Sequence, residues 1–228
     1  MRWKLIIRKI FWSLGIDLVK YDPDNSLASY IRMLVRELDI DCILDVGAHR
    51  GEFATGLRTF GYTGRIISFE PVTRNFLHLQ QIAARDSHWE VHQLALGSEE
   101  RDAEINITAS TVLCSFLDPV TEQVDATETV QVRRLDQLLP ELIGEHSRAF
   151  LKMDTQGYDL EVVRGASAVL QRIPAILTEM SVQPLYRGSP PFTAALSELE
   201  QQGFHPSAMF PVYRDAHKLV EFDCVLVR

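Results

Sequence analysis

Cys42-Ile43-Leu44-Asp45-Val46 is an almost wholly apolar run, and Gly47-Ala48-His49-Arg50-Gly51 follows it at once. The run reads as a buried strand and the two glycines as a turn. A helix is expected to start near Glu52-Phe53. A strand feeding directly into a helix is the opening of an α/β unit, and the alternation further along the chain extends it. The free N–H groups of the new helix point back into the turn. Asp45 is expected where the strand ends, at the mouth of the sheet. Such a corner suits a nucleoside with a charged tail.

The glycine spacing narrows the choice of nucleoside. A dinucleotide fingerprint is Gly-x-Gly-x-x-Gly, whereas this chain has Gly47-x-x-x-Gly51 preceded by Asp45. His49 would crowd a pyrophosphate pressed onto the turn. The pattern looks like motif I of S-adenosylmethionine-dependent methyltransferases. An ordinary strand–helix turn, with glycines chosen for packing, is the alternative at this point. Arg65-Ile66-Ile67-Ser68-Phe69-Glu70 then reads as a second strand with an acid at its end. A carboxylate there can accept both ribose hydroxyls, and Pro71 stops the strand.

The rest of the chain continues the rhythm. Leu27, Ile31, Leu34, Val35 and Leu38 recur at helical spacing after a turn at Asp22 to Ser26. A helix is expected after the second strand, and a third strand over 89–96. From 102 to 134 the alternation of strand and helix stops. Ala103 to Ile107 and Thr129 to Arg133 alternate like edge strands, around a polar loop holding Ser110, Thr111, Cys114, Ser115 and Phe116. This predicts a β-hairpin insert near the sheet mouth. A short helix begins at Leu135. Ala149 to Asp154 and Pro174 to Met180 are a fourth and a fifth buried strand, each meeting an acid, Asp154 and Glu179. A helix at 192–201 and two last strands, Phe204 to Phe210 and Phe222 to Val227, complete a seven-stranded, mostly parallel sheet with helices on both faces.

Length and composition set further bounds. At 228 residues the chain suits one α/β domain. Its net charge of −8 argues against general nucleic-acid binding. Cys42, Cys114 and Cys224 lack metal-ligand spacing, and two of them fall in apolar runs, as reduced thiols do. No apolar run is long enough for a membrane span. The first 20 residues stand apart: Arg2, Lys4, Arg8, Lys9 and Lys20 face only Asp17, with Trp3, Leu5, Ile6, Ile7, Ile10, Phe11, Trp12 and Leu14 between them. The charges break the apolar stretch too early for a signal-peptide core. A basic amphipathic segment over 1–22 is therefore expected beside a single domain over 23–228. The segment is expected to pack on the domain or on a second subunit, or to rest on an anionic membrane surface.

Four predicted strand ends carry acids: Asp45, Glu70, Asp154 and Glu179. Gathered at one mouth they would repel one another unless a cationic ligand, a metal or a proton intervened. S-adenosylmethionine, a sulfonium with an ammonium group, answers that need better than a pyrophosphate cofactor. The chain resembles the FkbM family of methyltransferases. The resemblance rests on Leu44-Asp45-Val46-Gly47-Ala48-His49-Arg50-Gly51, Phe69-Glu70-Pro71, Ala95-Leu96-Gly97 and Arg134 to Leu139. Its most specific part is Leu151 to Ala166, with Lys152-Met153-Asp154-Thr155-Gln156-Gly157-Tyr158-Asp159 at its head, and it ends on Ile176-Leu177-Thr178-Glu179. Two positions depart from the family's habit: His49 stands where Asn is common, and Gln156 where Glu is common.

The resemblance implies a Rossmann-like class I methyltransferase acting on a hydroxyl of a glycan or secondary metabolite. Asp45, Gly47, His49, Gly51, Glu70, Pro71, Ala95, Leu96 and Asp154 are the cofactor candidates, and Asp154 and Glu179 the candidate bases. No metal is expected. Tyr62, Tyr158 and Tyr186 are candidate pocket aromatics, and Arg187 a candidate acceptor contact. An NAD-dependent oxidoreductase and a non-catalytic nucleotide-binding module are the alternatives. A cytoplasmic location follows from these readings, with peripheral contact at the inner face of the membrane through residues 1–20 and a homo-oligomer as open options.

Overall fold

The computed structural model describes residues 2–16, 18 and 26–228. In chain order it begins with α1 (Arg2–Ser13), α2 (Leu27–Glu37), β1 (Cys42–Val46), α3 (Glu52–Thr59), β2 (Arg65–Phe69) and α4 (Thr73–Ala83). Then come β3 (Trp89–His92), β4 (Ala95–Leu96), β5 (Arg101–Thr108), β6 (Val124–Arg133) and α5 (Leu135–Leu142). The chain ends with β7 (Ala149–Met153), α6 (Asp159–Gly165), β8 (Ala175–Ser181), α7 (Phe192–Gln201), β9 (His205–Asp215) and β10 (Lys218–Val227).

The main sheet has seven strands in the order β3-β2-β1-β7-β8-β10-β9. The first five in that order run parallel, and β10 is antiparallel to both its neighbours. Successive residues of β1 and β7 face opposite sides of the sheet. Ile43 and Phe150 pack with Ile31, Ala54, Leu57 and Leu79 from α2, α3 and α4. Leu44, Val46, Leu151 and Met153 pack with Leu139, Val163 and Leu199 from α5, α6 and α7. Both faces are therefore covered, which is why these strands read as continuous apolar runs. This is the Rossmann-like, class I methyltransferase arrangement expected from the sequence.

Two expectations are corrected in detail, and a third is not tested. The strand over 89–96 breaks at Gln93-Leu94: β3 joins the main sheet, while β4 pairs with β6 in a separate three-stranded sheet, β4-β6-β5. That ribbon has a small core of its own, with Val72, Ala95, Ile105 and Val132. The last two strands are longer than their apolar stretches, because they form one hairpin that turns tightly at Ala216, φ +50°. The expected turn at Asp22 to Asn25, and with it the boundary between residues 22 and 23, lies outside the described residues.

Candidate active site

The parallel strands deliver their carboxyl ends to one edge of the sheet, where a cleft opens with about 620 Å³ of free space counted out to solvent. Val46, Gly47 and His49 line it from the end of β1, and Asp154, Thr155, Gln156 and Tyr158 from the end of β7. Phe69, Glu70, Pro71 and Val72 line it after β2, with Ala95 and Leu96 beside them. The insert contributes Ile105, Thr111, Cys114, Ser115 and Phe116. The polar loop of the insert thus sits at the sheet mouth, as its position in the chain predicted.

Asp45 is not at that mouth. It is fully buried within β1, beside Ser68 and Lys152 on the flanking strands, and does not line the cleft. The physical reason is Lys152, an ammonium inside an otherwise apolar strand, which needs a counter-charge. Lys152 Nζ lies 3.0 Å from Asp45 Oδ1 and donates to the Gly47 carbonyl at 3.0 Å. Asp45 Oδ1 meets the ammonium as an ion-pair partner off the hydrogen-bond direction, and Ser68 Oγ donates to Oδ2 at 3.3 Å. Burial alone would lower the Lys152 pKa; the Asp45 and Asp154 carboxylates outweigh it and hold the group above its ordinary value. Asp45 therefore supports the Gly47 turn from beneath.

Gly51 also stands off the cleft. Its φ of +88° starts α3, and a Cβ there would meet Leu79 and Trp89 at 2.9 Å. Its role is close packing. His49 does face the cleft, with φ +48°, a left-handed conformation that Asn and His accept more readily than most residues. Its Nε2 lies 2.9 Å from Thr111 Oγ1, and its Nδ1 3.1 Å from Glu52 Oε1. The first pair ties the β1 turn to the insert.

Glu70 is buried at the cleft. The backbone N–H of His49 donates to Oε2 at 2.8 Å and that of Val72 to Oε1 at 3.0 Å. Burial pushes its carboxyl up to about 7, against the pull of those hydrogen bonds.

Asp154 and Glu179 are brought together by a residue between them. Gln156 Nε2 donates to Asp154 Oδ1 at 2.7 Å and to Glu179 Oε2 at 3.3 Å. Tyr186 Oη in turn donates to Gln156 Oε1 at 2.7 Å. Glu179 does not line the cleft itself. It lines a second, largely apolar pocket, with about 540 Å³ of free space counted out to solvent, together with Met153, Leu160, Tyr186, Phe192 and Leu199. Glu179 is directly opposite Asp223 on β10. Burial first, then the charges of Asp154, Glu221 and Asp223, push its carboxyl up to about 8. Burial and Asp154 raise Asp223 to about 6. Asp159, at the start of α6, accepts from Thr155 N–H at 2.9 Å and from Thr178 Oγ1 at 2.5 Å, and so pins the loop that carries Asp154.

The acids thus fall into three places: Asp45 beneath the turn, Glu70 on one side of the cleft, and Asp154 with Glu179 on the other. Glu221 and Asp223 join the last group and were missed, although their alternation on a strand ending the chain was visible. Lys152 and Gln156 were also missed as organising residues; a lysine within an apolar strand was the available signal. Tyr158 lines the cleft, while Tyr62 lies elsewhere, its Oη donating to the Arg65 carbonyl. The Arg187 side chain is exposed. Among the described residues no group of His, Cys, Asp and Glu is placed to hold a metal ion.

The family model for the Methyltransferase FkbM domain matches residues 45–206. No curated protein gave a match. Among solved structures, the chain is similar to a methyltransferase FkbM from Methylobacillus flagellatus KT, with a TM-score of 0.52 and 19% identity. That alignment covers 83% of this chain and 44% of the other, so this chain spans less than half the length of that relative. It is also similar to magnesium protoporphyrin IX methyltransferase from Synechocystis PCC 6803, solved with bound S-adenosylmethionine. There the TM-score is 0.50 and the identity 12%, over 99% of this chain and 96% of the other. Aeropyrum pernix fibrillarin, with natively bound S-adenosyl-L-methionine, gives 0.50 and 12%, over 82% and 66%. At these identities the likeness is one of fold.

Proposed function

The chain belongs to the FkbM methyltransferase family, an S-adenosylmethionine-dependent one, and from that premise we propose that it methylates a hydroxyl oxygen of a glycan or small secondary metabolite. The observation that carries the hydroxyl reading is Glu179. An alcohol is a poor nucleophile and gains from a general base poised near neutral pH. Glu179, raised to about 8, is such a group, and Gln156 links it to the cleft.

The residues present fit the cofactor. Gly47 leaves the turn without a side chain where the backbone of Asp154 passes. Partly exposed Asp154 offers negative charge to a cationic ligand, and buried Glu70 offers carboxyl oxygens as hydrogen-bond acceptors. In this reading Glu70 holds the ribose hydroxyls, and Pro71, Ala95 and Leu96 supply an apolar surface for the base. The backbone at Gly47 and His49 closes the turn over the methionine part, and Asp154 takes its ammonium. Asp45 and Gly51 act by positioning the turn. When bound, the cofactor supplies a methyl group on a sulfonium sulfur, already activated toward a nucleophile.

The chain's own work is alignment and proton removal. Gln156 occupies Glu179 Oε2 and leaves Oε1 to receive the hydroxyl proton. Tyr186 holds the Gln156 amide in the orientation that presents its N–H groups to both carboxylates. The second cavity, beside Glu179, receives the apolar part of the acceptor.

The test is transfer of labelled methyl groups to a panel of glycans and hydroxyl-bearing metabolites. Product label resistant to mild base, as an ether is, supports hydroxyl methylation. Label released as methanol, or found on nitrogen, contradicts it.

A further inference from the structure

α1 (Arg2–Ser13) carries exposed apolar side chains. Trp3, Ile6, Ile7, Ile10 and Leu14 recur at the spacing that places them along one stripe. In a helix that packs on its own domain such a stripe is buried. Here Trp3, Ile6, Ile10 and Leu14 are all more than half exposed. Arg8 and Lys9 are exposed on the side of the helix away from the stripe, and the sequence adds Arg2 and Lys4 with no acid before Asp17. The Arg8 guanidinium sits 5.2 Å from the Trp12 ring centroid, a cation–aromatic pair on the face opposite the stripe. The helix has 12 residues, too few to cross a bilayer.

Charge separates the occupants this surface could take. A second copy would have to offer an apolar groove without cations. The groove between α2 and α3, lined by Ile31, Val35, Leu57 and Phe60, carries Arg32 and Arg36 against the single acid Asp39, a balance of the same sign as α1. An anionic bilayer offers both the apolar depth and the opposite charge. We propose that α1 lies flat on an anionic lipid surface, with Ile6, Ile10 and Leu14 at the acyl boundary and Arg8 and Lys9 among the headgroups. The methyltransferase fold is thereby held at a membrane face.

Co-sedimentation of the full chain with vesicles tests this. Phosphatidylcholine alone is compared with equal parts phosphatidylcholine and phosphatidylglycerol. The chain should bind the anionic vesicles, and less so as salt is raised. Ile6→Ser with Ile10→Ser should lower partitioning roughly a hundredfold. Arg8→Ser with Lys9→Ser should remove the preference for phosphatidylglycerol, by about tenfold or more. Both double variants should titrate S-adenosylmethionine as the parent does. Equal binding to both vesicle types, or no effect of either double variant, overturns the proposal. So does a dimer in sedimentation equilibrium that Ile6→Ser with Ile10→Ser dissociates while no vesicle is bound. Loss of S-adenosylmethionine binding in these variants also contradicts it, since α1 would then serve the methyltransferase fold itself.

Discussion

Gly47 passes so close to Asp154 that a Cβ at position 47 would stand 2.1 Å from the Asp154 carbonyl oxygen. The two residues leave neighbouring parallel strands, and the Asp154 N–H donates to the Val46 carbonyl at 3.1 Å. Backbone meets backbone here, so no flexible side chain can yield. Gly47 also has φ +71°, where an L side chain costs about 1–2 kcal/mol. Gly47→Ala should lower Tm by at least about 2–4 °C and weaken S-adenosylmethionine binding by about tenfold or more. Thermal unfolding and calorimetric titration check it; an unchanged variant would show that the crossing is not needed.

Glu70 accepts backbone N–H groups from both His49 and Val72, so it joins the β1 turn to the end of β2. Glu70→Ala removes the proposed ribose acceptor and orphans both donors. Cofactor binding should weaken by about 1.5–3 kcal/mol, the range for hydrogen bonds to a charged group. A folded variant that binds the cofactor normally would refute the assignment.

The raised carboxyls make stability depend on pH in a definite direction. Glu179 ordinarily titrates at 4.5 and is held at about 8 by burial and by the charges of Asp154, Glu221, Asp223 and Asp159. Between those values the folded chain keeps a proton that the unfolded chain has lost. Stability therefore falls as pH rises through that window and levels off above it. Glu70, at about 7, and Asp223, at about 6, act in the same sense. Tm should decline from about pH 5 to about pH 8, and Glu179→Gln should flatten the decline. A Tm that rises across the window would contradict the burial and charge described for these groups.

The architecture was legible because its signals are local. Continuous apolar strands, acids or glycines at their ends and a break in the α/β rhythm at residue 102 each depend on a few neighbouring residues. The site was legible less evenly. Glu70, His49 and Asp154 line the cleft where their strand ends placed them. Asp45 does not, because its partner is Lys152, distant in sequence and adjacent only once β1 and β7 pair. Gln156 stood out in the sequence only as a departure from Glu; its φ of +54° and its two carboxylate partners show an amide that joins two acids. Strand breaks such as Gln93-Leu94 were invisible because the apolar pattern of a strand does not say which sheet it enters.

The amides at the two candidate acids separate binding from proton transfer. Asp154→Asn should weaken cofactor binding and lower turnover together. Glu179→Gln should leave cofactor binding near normal and lower turnover by roughly 10²–10⁴-fold, the span of general-base catalysis. Parent turnover should rise with pH toward a midpoint near 8 as Glu179 loses its proton, and Glu179→Gln should lack that limb. Near-normal turnover in both amides would leave alignment alone, or a group on the acceptor, to do the work.

Isothermal titration of the full chain with S-adenosylmethionine, its demethylated product and NAD tests the central claim most directly. Saturable one-to-one binding of the first two, weakened by Gly47→Ala and Glu70→Ala, with no heat from NAD, is the expected result. Binding of NAD in their place, or no binding of any of the three, would contradict it.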